Sequence, residues 1–207
     1  MFITFEGGEG TGKSTQSNLL KDFLIEKGFD VVLTREPGGT PLAEEIRNVL
    51  LTGDPDKMEA LPEALMYLSA RADHWIRIIK PALDAGKIVI CDRFHDSSTV
   101  YQGMCKGVDI KLLNAIYAKI TNNRMPDRTY LIDLDPKTGI ERSFSQKDTE
   151  IRFERMDMAF HNKVRRAFLD IAHEDKLRFC IIDGKLSVQE IFEIIKSDIR
   201  DLITDVI

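Results

Sequence analysis

Residues 7–14 read Gly7-Gly8-Glu9-Gly10-Thr11-Gly12-Lys13-Ser14, which matches the pattern G-x-x-x-x-G-K-[ST]. The apolar run at residues 2–6 predicts a strand before this stretch, and the residues after it predict a helix, as the motif requires. Glycines let successive backbone N–H groups curve around phosphate oxygens, and the helix presents its positive N-terminus to the same anion. This context disfavours an ordinary glycine-rich turn. The stretch predicts a nucleotide-binding loop that contacts phosphates through Gly7, Gly8, Glu9, Gly10, Thr11, Gly12, Lys13, Ser14 and Thr15.

Two side chains at the end of the loop suit a nucleoside triphosphate and its metal ion. Lys13 supplies a positive charge for the β and γ phosphates, and the Ser14 hydroxyl is placed to ligate Mg²⁺. The third predicted strand ends in Cys91-Asp92-Arg93, at the carboxyl edge where ligands collect in open α/β folds. Asp92 is therefore a candidate to hold Mg²⁺ through water. Arg93 is a candidate to clamp a phosphate, with a surface salt bridge as the alternative.

The chain alternates short apolar runs with helical stretches, which is typical of parallel β-α-β units. The predicted strands occupy residues 2–6, 30–34, 87–92, 128–133 and 177–183. Strands that are apolar along their whole length indicate a sheet covered by helices on both faces. No repeat, low-complexity tract or linker divides the chain. The sequence therefore predicts one α/β domain over residues 1–207, with three α/β/α layers around a five-stranded parallel sheet.

The clearest predicted helix lies within residues 61–83. Leu65, Leu68, Ala72, Trp75 and Ile79 recur there at steps of three and four, and such a stripe is expected to pack on the sheet. A second set, which includes an aromatic ring and a guanidinium one turn apart, projects from the opposite side. We expect this side to lie away from the core and to form a pocket wall; its members are Tyr67, Arg71 and His74.

The composition fits a globular domain that binds small ligands. Of the 207 residues, 43% are hydrophobic, enough to form a sizeable core. The net charge of −5 argues against a nucleic-acid partner, which would require a basic face. Cys91, Cys105 and Cys180 show no CxxC spacing, so neither a disulfide framework nor a zinc site is predicted. Without a basic leader or an apolar run of bilayer length, we expect a cytoplasmic protein that has no membrane partner.

Four segments, by their order and spacing, resemble the thymidylate kinase family of the bacterial kind. They are residues 5–14, residues 34–41 (Thr-Arg-Glu-Pro-Gly-Gly-Thr-Pro), Asp92-Arg93 with residues 97–103, and residues 151–154. The resemblance covers nearly the whole chain. It implies the P-loop NTPase fold of nucleoside monophosphate kinases and a homodimer. It also implies transfer of the ATP γ-phosphoryl group, with Mg²⁺, to thymidine monophosphate (dTMP).

The resemblance also implies which residues bind the base and sugar of dTMP. Tyr67 matches an aromatic residue that stacks on thymine, and Arg71 matches an arginine that reaches a base carbonyl. Ser98 and Gln102 match positions that line the base, where short polar groups can read N3 and O4 by hydrogen bonds. Tyr101 matches a ring that crowds the sugar edge and disfavours a ribonucleotide. Without the resemblance, Tyr67 and Arg71 are read as a solvent-facing pair.

A second group of matched positions lies near the acceptor phosphate. Arg35 and Arg93 are candidates to hold it, because a planar guanidinium can engage two oxygens at once. Glu36 matches an acidic position near the sugar and phosphate of the acceptor. Arg47 matches a further acceptor-side arginine, with an i,i+3 helix pair to Glu44 as the alternative.

The resemblance further implies a lid, at about residues 138–152, that closes over the nucleotides and adds positive charge. Bacterial members with a neutral residue in the loop, as Gly10 is here, place several arginines in the lid. Only Arg142 matches one of the expected lid positions in this chain. We expect Arg142 to supply charge to the reaction, with Arg152 and then Lys147 as alternatives. For Arg152 and Lys147, the other interpretation is a charged side chain that is merely solvated on a surface segment.

Other functions that use a phosphate loop remain alternatives at this point. A kinase for another monophosphate or for a deoxynucleoside would share the loop and the lid. A GTPase switch would need N-K-x-D, but Asn162-Lys163-Val164 is followed by Arg165. A regulatory ATPase, like a GTPase switch, would act by conformational signalling. A dimeric scaffold that binds ATP without turnover would leave the acceptor-side arginines without a role. Residues 183–187, after the fifth strand, either border an adenine site or form a plain strand-to-helix turn.

Overall fold

The computed structural model of the chain describes residues 1–145 and 152–204. Its sheet has five parallel strands in the order β2-β3-β1-β4-β5, which confirms the predicted fold class. The strands are β1 (Phe2–Glu6), β2 (Val31–Arg35), β3 (Ile88–Asp92), β4 (Arg128–Asp133) and β5 (Phe179–Asp183). The fifth strand begins two residues later than predicted because Arg178 belongs to a turn, where it pairs with Asp175.

Helices cover both faces of this sheet. Within the described residues the α-helices are α1 (Lys13–Glu26), α2 (Pro41–Leu51), α3 (Ala60–His74), α4 (Lys80–Asp84), α5 (His95–Ser98), α6 (Ile110–Thr121), α7 (Pro136–Phe144), α8 (Met158–Glu174) and α9 (Val188–Thr204). Two π-helical segments, Trp75–Ile79 and Thr99–Cys105, follow α3 and α5. None of the helices in residues 1–145 and 152–204 is both long and apolar enough to cross a bilayer.

Capping residues fix where several helices begin. The Thr40 hydroxyl accepts a hydrogen bond from the Ala43 N–H at 3.1 Å, and Pro41 occupies the first turn of α2. Asp157 caps α8 by accepting from the Phe160 N–H at 2.7 Å. Such caps satisfy backbone donors that have no partner within the helix.

The core has apolar clusters on both sides of the sheet, as alternation along the strands requires. On one side, Ile3 and Phe5 of β1 pack with Leu20 and Leu24 of α1 and with buried isoleucines of α9. On the other side, Phe2 packs against the Trp75 and Phe94 rings. The central position of β1 places the phosphate loop at the carboxyl edge, between the two halves of the sheet. Ligands bind at this kind of position in open α/β sheets.

The predicted helix within residues 61–83 differs from the observed one in two ways. First, the stretch is divided into α3, the π-helical segment Trp75–Ile79 and α4, and Leu65, which was predicted to belong to the core stripe, is 47% exposed. Second, the side expected to lie away from the core contains Arg71 and His74, which are 2% and 0% exposed. Both residues hydrogen-bond Glu36, so a polar interior site, rather than solvent, lies against this side of α3.

Candidate active site

Backbone geometry fixes the shape of the phosphate loop. Gly10 and Gly12 have φ angles of 64° and 97°, in the left-handed region that favours glycine. A Cβ atom on Gly10 would lie 1.8 Å from the carbonyl oxygen of Gly139 in α7, so no side chain fits there. The Lys13 Nζ donates to the Gly8 carbonyl at 2.7 Å across the loop. The loop is therefore already curved around a small polar cavity.

The two predicted metal ligands lie next to each other. The Ser14 hydroxyl donates to Asp92 Oδ2 at 2.5 Å, at an exposed position between α1 and the end of β3. A hydroxyl and a carboxylate are the hard oxygen ligands that Mg²⁺ accepts, together with water and phosphate oxygens. These residues therefore fit the predicted ion.

A large cleft of about 630 Å³ runs along the phosphate loop. It is also lined by Arg35, Arg142 and residues 185–188, which follow β5. The Arg35 side chain is 54% exposed and pairs with Glu44 at 3.0 Å. Arg35 lines this cleft and not the adjoining acceptor pocket described next.

The predicted acceptor residues line a second cavity, which we call the acceptor pocket, between α3, the π-helical segment Thr99–Cys105 and the turn at residues 152–155. Eight of the predicted substrate residues line it: Glu36, Arg47, Tyr67, Arg71, Arg93, Ser98, Tyr101 and Gln102. Glu9 of the phosphate loop also lines this pocket. The remaining lining residues were not assigned to a site from the sequence; they are Pro37, Leu51, Phe94, Ser97, Phe153 and Glu154. Phe153 and Glu154 lie within the fourth family segment, so that motif already contained a signal for them.

A buried ion pair organises one wall of the acceptor pocket. Arg71 donates from Nε to Glu36 at 2.6 Å, from Nη1 to the Ser98 hydroxyl at 2.9 Å and from Nη2 to the Phe94 carbonyl at 2.9 Å. His74 contacts the other Glu36 oxygen at 3.1 Å. Burial alone would raise the pKa of Glu36, but Arg71 and His74 outweigh burial and hold that pKa below its ordinary value. Glu36 is therefore an ionised anchor that fixes Arg71.

A second ion pair joins the phosphate loop to the acceptor pocket. Arg93 donates to Glu9 at 2.8 Å and to the Gly7 carbonyl at 2.9 Å. The Tyr101 hydroxyl also donates to Glu9, at 3.0 Å. Glu9 was predicted only as a phosphate-loop residue, but its side chain lies at the boundary of both cavities. Arg93 has a φ of 68°, which is uncommon for a residue other than glycine and indicates that its surroundings hold it in place.

Arg47 and Arg142 line the two cavities from opposite sides. Arg47 donates to the Pro37 carbonyl at 2.8 Å and lines both the acceptor pocket and the cleft. Arg142 lies near the end of α7, is exposed, and lines the cleft beside the phosphate loop. Lys147 and the rest of residues 146–151 lie outside the described residues. Arg142 is thus exposed in the same cleft as the phosphate loop.

The structure corrects the prediction that Arg152 supplies charge to the reaction. Its guanidinium is 1% exposed and pairs with Glu63 at 2.7 Å. It also donates to the carbonyls of Leu50, Asp54 and Pro55, at and just beyond the end of α2, where backbone acceptors lack helical partners. Arg152 lines neither of the two cavities. The charge of Arg152 is paired with Glu63 in the protein interior and does not face either cavity.

Glu6, at the end of β1, holds the turn that carries Arg93. Its carboxylate accepts from the Phe94 N–H at 2.8 Å and from the Ser97 hydroxyl at 2.6 Å. Burial, with a smaller contribution from the nearby Asp96, raises the pKa of Glu6 to about 7. An acid whose pKa is raised on folding binds its proton more tightly in the folded state. Its contribution to stability is therefore present below about pH 4.5 and is lost as the pH rises towards 7.

We expect Glu6→Gln to flatten this part of the pH dependence of stability. In the wild-type chain the Glu6 contribution to the free energy of unfolding should fall by up to about 3 kcal/mol between pH 4.5 and 7. Urea unfolding of both proteins at pH 5 and pH 8 measures the difference. Equal changes between the two pH values in the variant and the wild type would show that Glu6 does not titrate in this window.

Comparison with known proteins identifies the family. The family model for thymidylate kinase matches residues 5–195. The thymidylate kinase of Ruegeria pomeroyi is 48% identical over 191 residues, covering 92% of this chain and 90% of the relative. The thymidylate kinase of Symbiobacterium thermophilum is 43% identical over 207 residues, covering 100% and 94%. The crystal structure of thymidylate kinase from Ehrlichia chaffeensis superposes with a TM-score of 0.76 at 39% identity, covering 95% and 97%. As the four motifs predicted, the chain belongs to the thymidylate kinase family, whose enzymes phosphorylate dTMP.

Proposed function

We propose that this chain transfers the γ-phosphoryl group of ATP to dTMP, with Mg²⁺, and releases dTDP and ADP. Family membership makes the chain an enzyme that phosphorylates dTMP and removes the alternatives of a GTPase switch or an ATP-binding scaffold. The observation that carries the finer proposal is the junction of the two cavities. Both are lined by Glu9, Glu36, Arg47 and Arg93, so a donor in the cleft and an acceptor in the pocket would bring their phosphates together there.

The acceptor pocket suits a pyrimidine monophosphate. The Tyr67 ring offers an apolar face for a base, and Arg71 and Ser98 offer polar hydrogens near it. Because Ser98 accepts from Arg71, its own hydroxyl proton is available to a ligand. Arg47 and Arg93, at the other end of the pocket, are the charges proposed to hold the acceptor phosphate, and Arg35 approaches the same junction from the cleft.

Catalysis in this arrangement depends on positioning and charge. Phosphoryl transfer passes through a loose transition state whose charge is spread over the oxygens, and an acceptor phosphate oxygen is already a nucleophile near neutral pH. Lys13 and Arg93 present positive charge from the rigid edge of the sheet, and Arg142 approaches from α7. Ser14 and Asp92 would hold Mg²⁺, which would add further charge neutralisation. No side chain is required as a covalent nucleophile.

The same proposal includes the organisation of the chain. We assign residues 1–207 to one nucleoside monophosphate kinase domain with a lid at about residues 138–152, and the family resemblance supports a homodimer. Leu61, Leu65 and Leu112, on the adjoining helices α3 and α6, are more than 40% exposed, which favours a covered face there. The three cysteines are free, which supports a reducing compartment such as the cytoplasm.

A coupled assay of ADP formation tests the proposed acceptor. The enzyme is given MgATP and, separately, the monophosphates of thymidine, deoxyuridine, deoxycytidine, deoxyadenosine and deoxyguanosine. We expect the highest kcat/KM with dTMP and loss of turnover when EDTA removes the divalent ions. ADP formation that no acceptor raises above the basal rate would contradict the proposal.

A further inference from the structure

Glu63 of α3 is a buried carboxylate to which none of the roles above assigns a function. It is 0% exposed and pairs with Lys106 at 2.8 Å and with Arg152 at 2.7 Å. It also accepts a hydrogen bond from the side-chain amide of Gln102, Nε2, at 2.9 Å. Gln102 is 2% exposed and lines the acceptor pocket. One residue thus connects a buried ionic cluster to a side chain of the base site.

The charge of Glu63 decides which way the Gln102 amide faces. A carboxylate held between two cations is ionised, and an ionised carboxylate only accepts hydrogen bonds. The NH₂ group of Gln102 must therefore point to Glu63. A rotation of the amide by 180° would place its oxygen against Glu63 Oε1, so that two acceptors would face each other and the Gln102 oxygen would be buried there without a donor. Within residues 1–145 and 152–204, no hydrogen bond to Gln102 Oε1 is found, so this oxygen is available to a ligand.

A gain in stability does not by itself explain an ionic cluster of this kind. Burial of the Glu63 carboxylate and the Arg152 guanidinium, with partial burial of Lys106, is costly, and a well-packed apolar cluster is often at least as stable. What an apolar cluster cannot do is fix the direction of an amide. The π-helical segment Thr99–Cys105 carries Gln102, and π-helical turns are frequent at functional sites.

We propose that Glu63 is a positioning residue for base selection, which holds the Gln102 carbonyl towards a base that carries a ring N–H. This inference rests on the proposed dTMP acceptor. Thymine and uracil have a hydrogen on N3, whereas cytosine has a lone pair there and would face the carbonyl oxygen without a donor. A site built to accept from a substrate N–H strongly rejects the analogue that lacks it. Glu63 would thus act on specificity without touching the substrate.

Glu63→Gln tests the proposal, because a neutral amide can donate to Gln102 and allows it to rotate. We expect the ratio of kcat/KM for dTMP to kcat/KM for dCMP to fall by at least about tenfold. The matched control is Lys106→Met, which removes charge from the same cluster but leaves Glu63 bonded to Gln102 and Arg152. A fall in stability alone would lower the amount of active enzyme for both substrates and leave the ratio unchanged, as we expect for Lys106→Met.

Gln102→Leu provides a second test that leaves the Glu63 ion pairs in place if Glu63→Gln does not fold. It removes the carbonyl oxygen, and we expect it also to lower the dTMP to dCMP ratio by at least about tenfold. A wild-type preference for dTMP that survives unchanged in the folded variants would overturn the role of Glu63 alone. A wild-type enzyme that uses dCMP as well as dTMP would instead overturn the proposed acceptor, and this inference with it.

Discussion

Replacement of Lys13 by alanine should lower kcat for dTMP phosphorylation by about 10²- to 10³-fold, the usual effect of removing one preorganised donor from a site of developing charge. Lys13 Nζ lies inside the phosphate loop, 2.7 Å from the Gly8 carbonyl. Its charge is therefore fixed before a nucleotide arrives. We expect little change in the Tm, because the loop shape depends on its glycines. Steady-state kinetics at saturating MgATP and dTMP measure the effect.

The control for this experiment is Lys21→Ala in the same helix. Lys21 lies two turns further along α1 and pairs with the exposed Asp22, so the variant removes an equal charge away from the site. Surface pairs of this kind contribute little to stability. A Lys13 variant with a kcat within a fewfold of the Lys21 variant would show that the loop binds phosphate through its backbone alone.

Arg142→Ala and Arg152→Ala should have different effects, although both arginines lie within the proposed lid segment. For Arg142→Ala we expect a loss in kcat of about 10³-fold, the lower end of the effect of an arginine that stabilises phosphoryl transfer, with an unchanged Tm. For Arg152→Ala we expect a loss of about 3–5 kcal/mol in the free energy of unfolding, because Glu63 is left as a buried charge with one partner fewer.

Kinetics and urea unfolding of both variants separate these outcomes. Arg142→Lys is a useful companion, because it keeps the charge but not the planar fork of donors. A stable Arg152 variant with a kcat reduced by orders of magnitude would restore Arg152 as a source of transition-state charge. A fully active Arg142 variant would move that role to residues 146–151.

The sequence predicted the fold and the phosphate loop well because both depend on local patterns. Alternation of apolar runs and helices determines a parallel sheet, and the loop motif lies within eight consecutive residues. The side-chain contacts of Glu9 could not be predicted from a local pattern. Its partners Arg93 and Tyr101 are 84 and 92 residues away, and only the pairing of β1 with β3 brings them together.

Arg152 and Arg71 show a second limit of prediction from sequence. A charged residue is normally exposed, so the residues alone favoured a solvent-facing Arg71, and Arg152 was assigned to the predicted lid or to a solvated surface segment. The structure buries them because Glu63 and Glu36 are buried beside them and the ends of neighbouring elements offer carbonyl acceptors. Such compensation depends on tertiary contacts between distant segments. Periodicity of hydrophobic residues does not reveal it.

The contact between the phosphate loop and α7 has a consequence for how this enzyme can change over evolution. A Cβ atom on Gly10 would meet the Gly139 carbonyl oxygen, and one on Gly139 would come within 2.3 Å of the Glu9 carbonyl oxygen. Because each clash is with backbone, a smaller neighbouring side chain cannot relieve it. Each position is thus restricted to glycine independently of the other, and a second mutation at the other position does not relieve the clash. Mutational drift around α7 must therefore leave this junction unchanged and take place further along the chain.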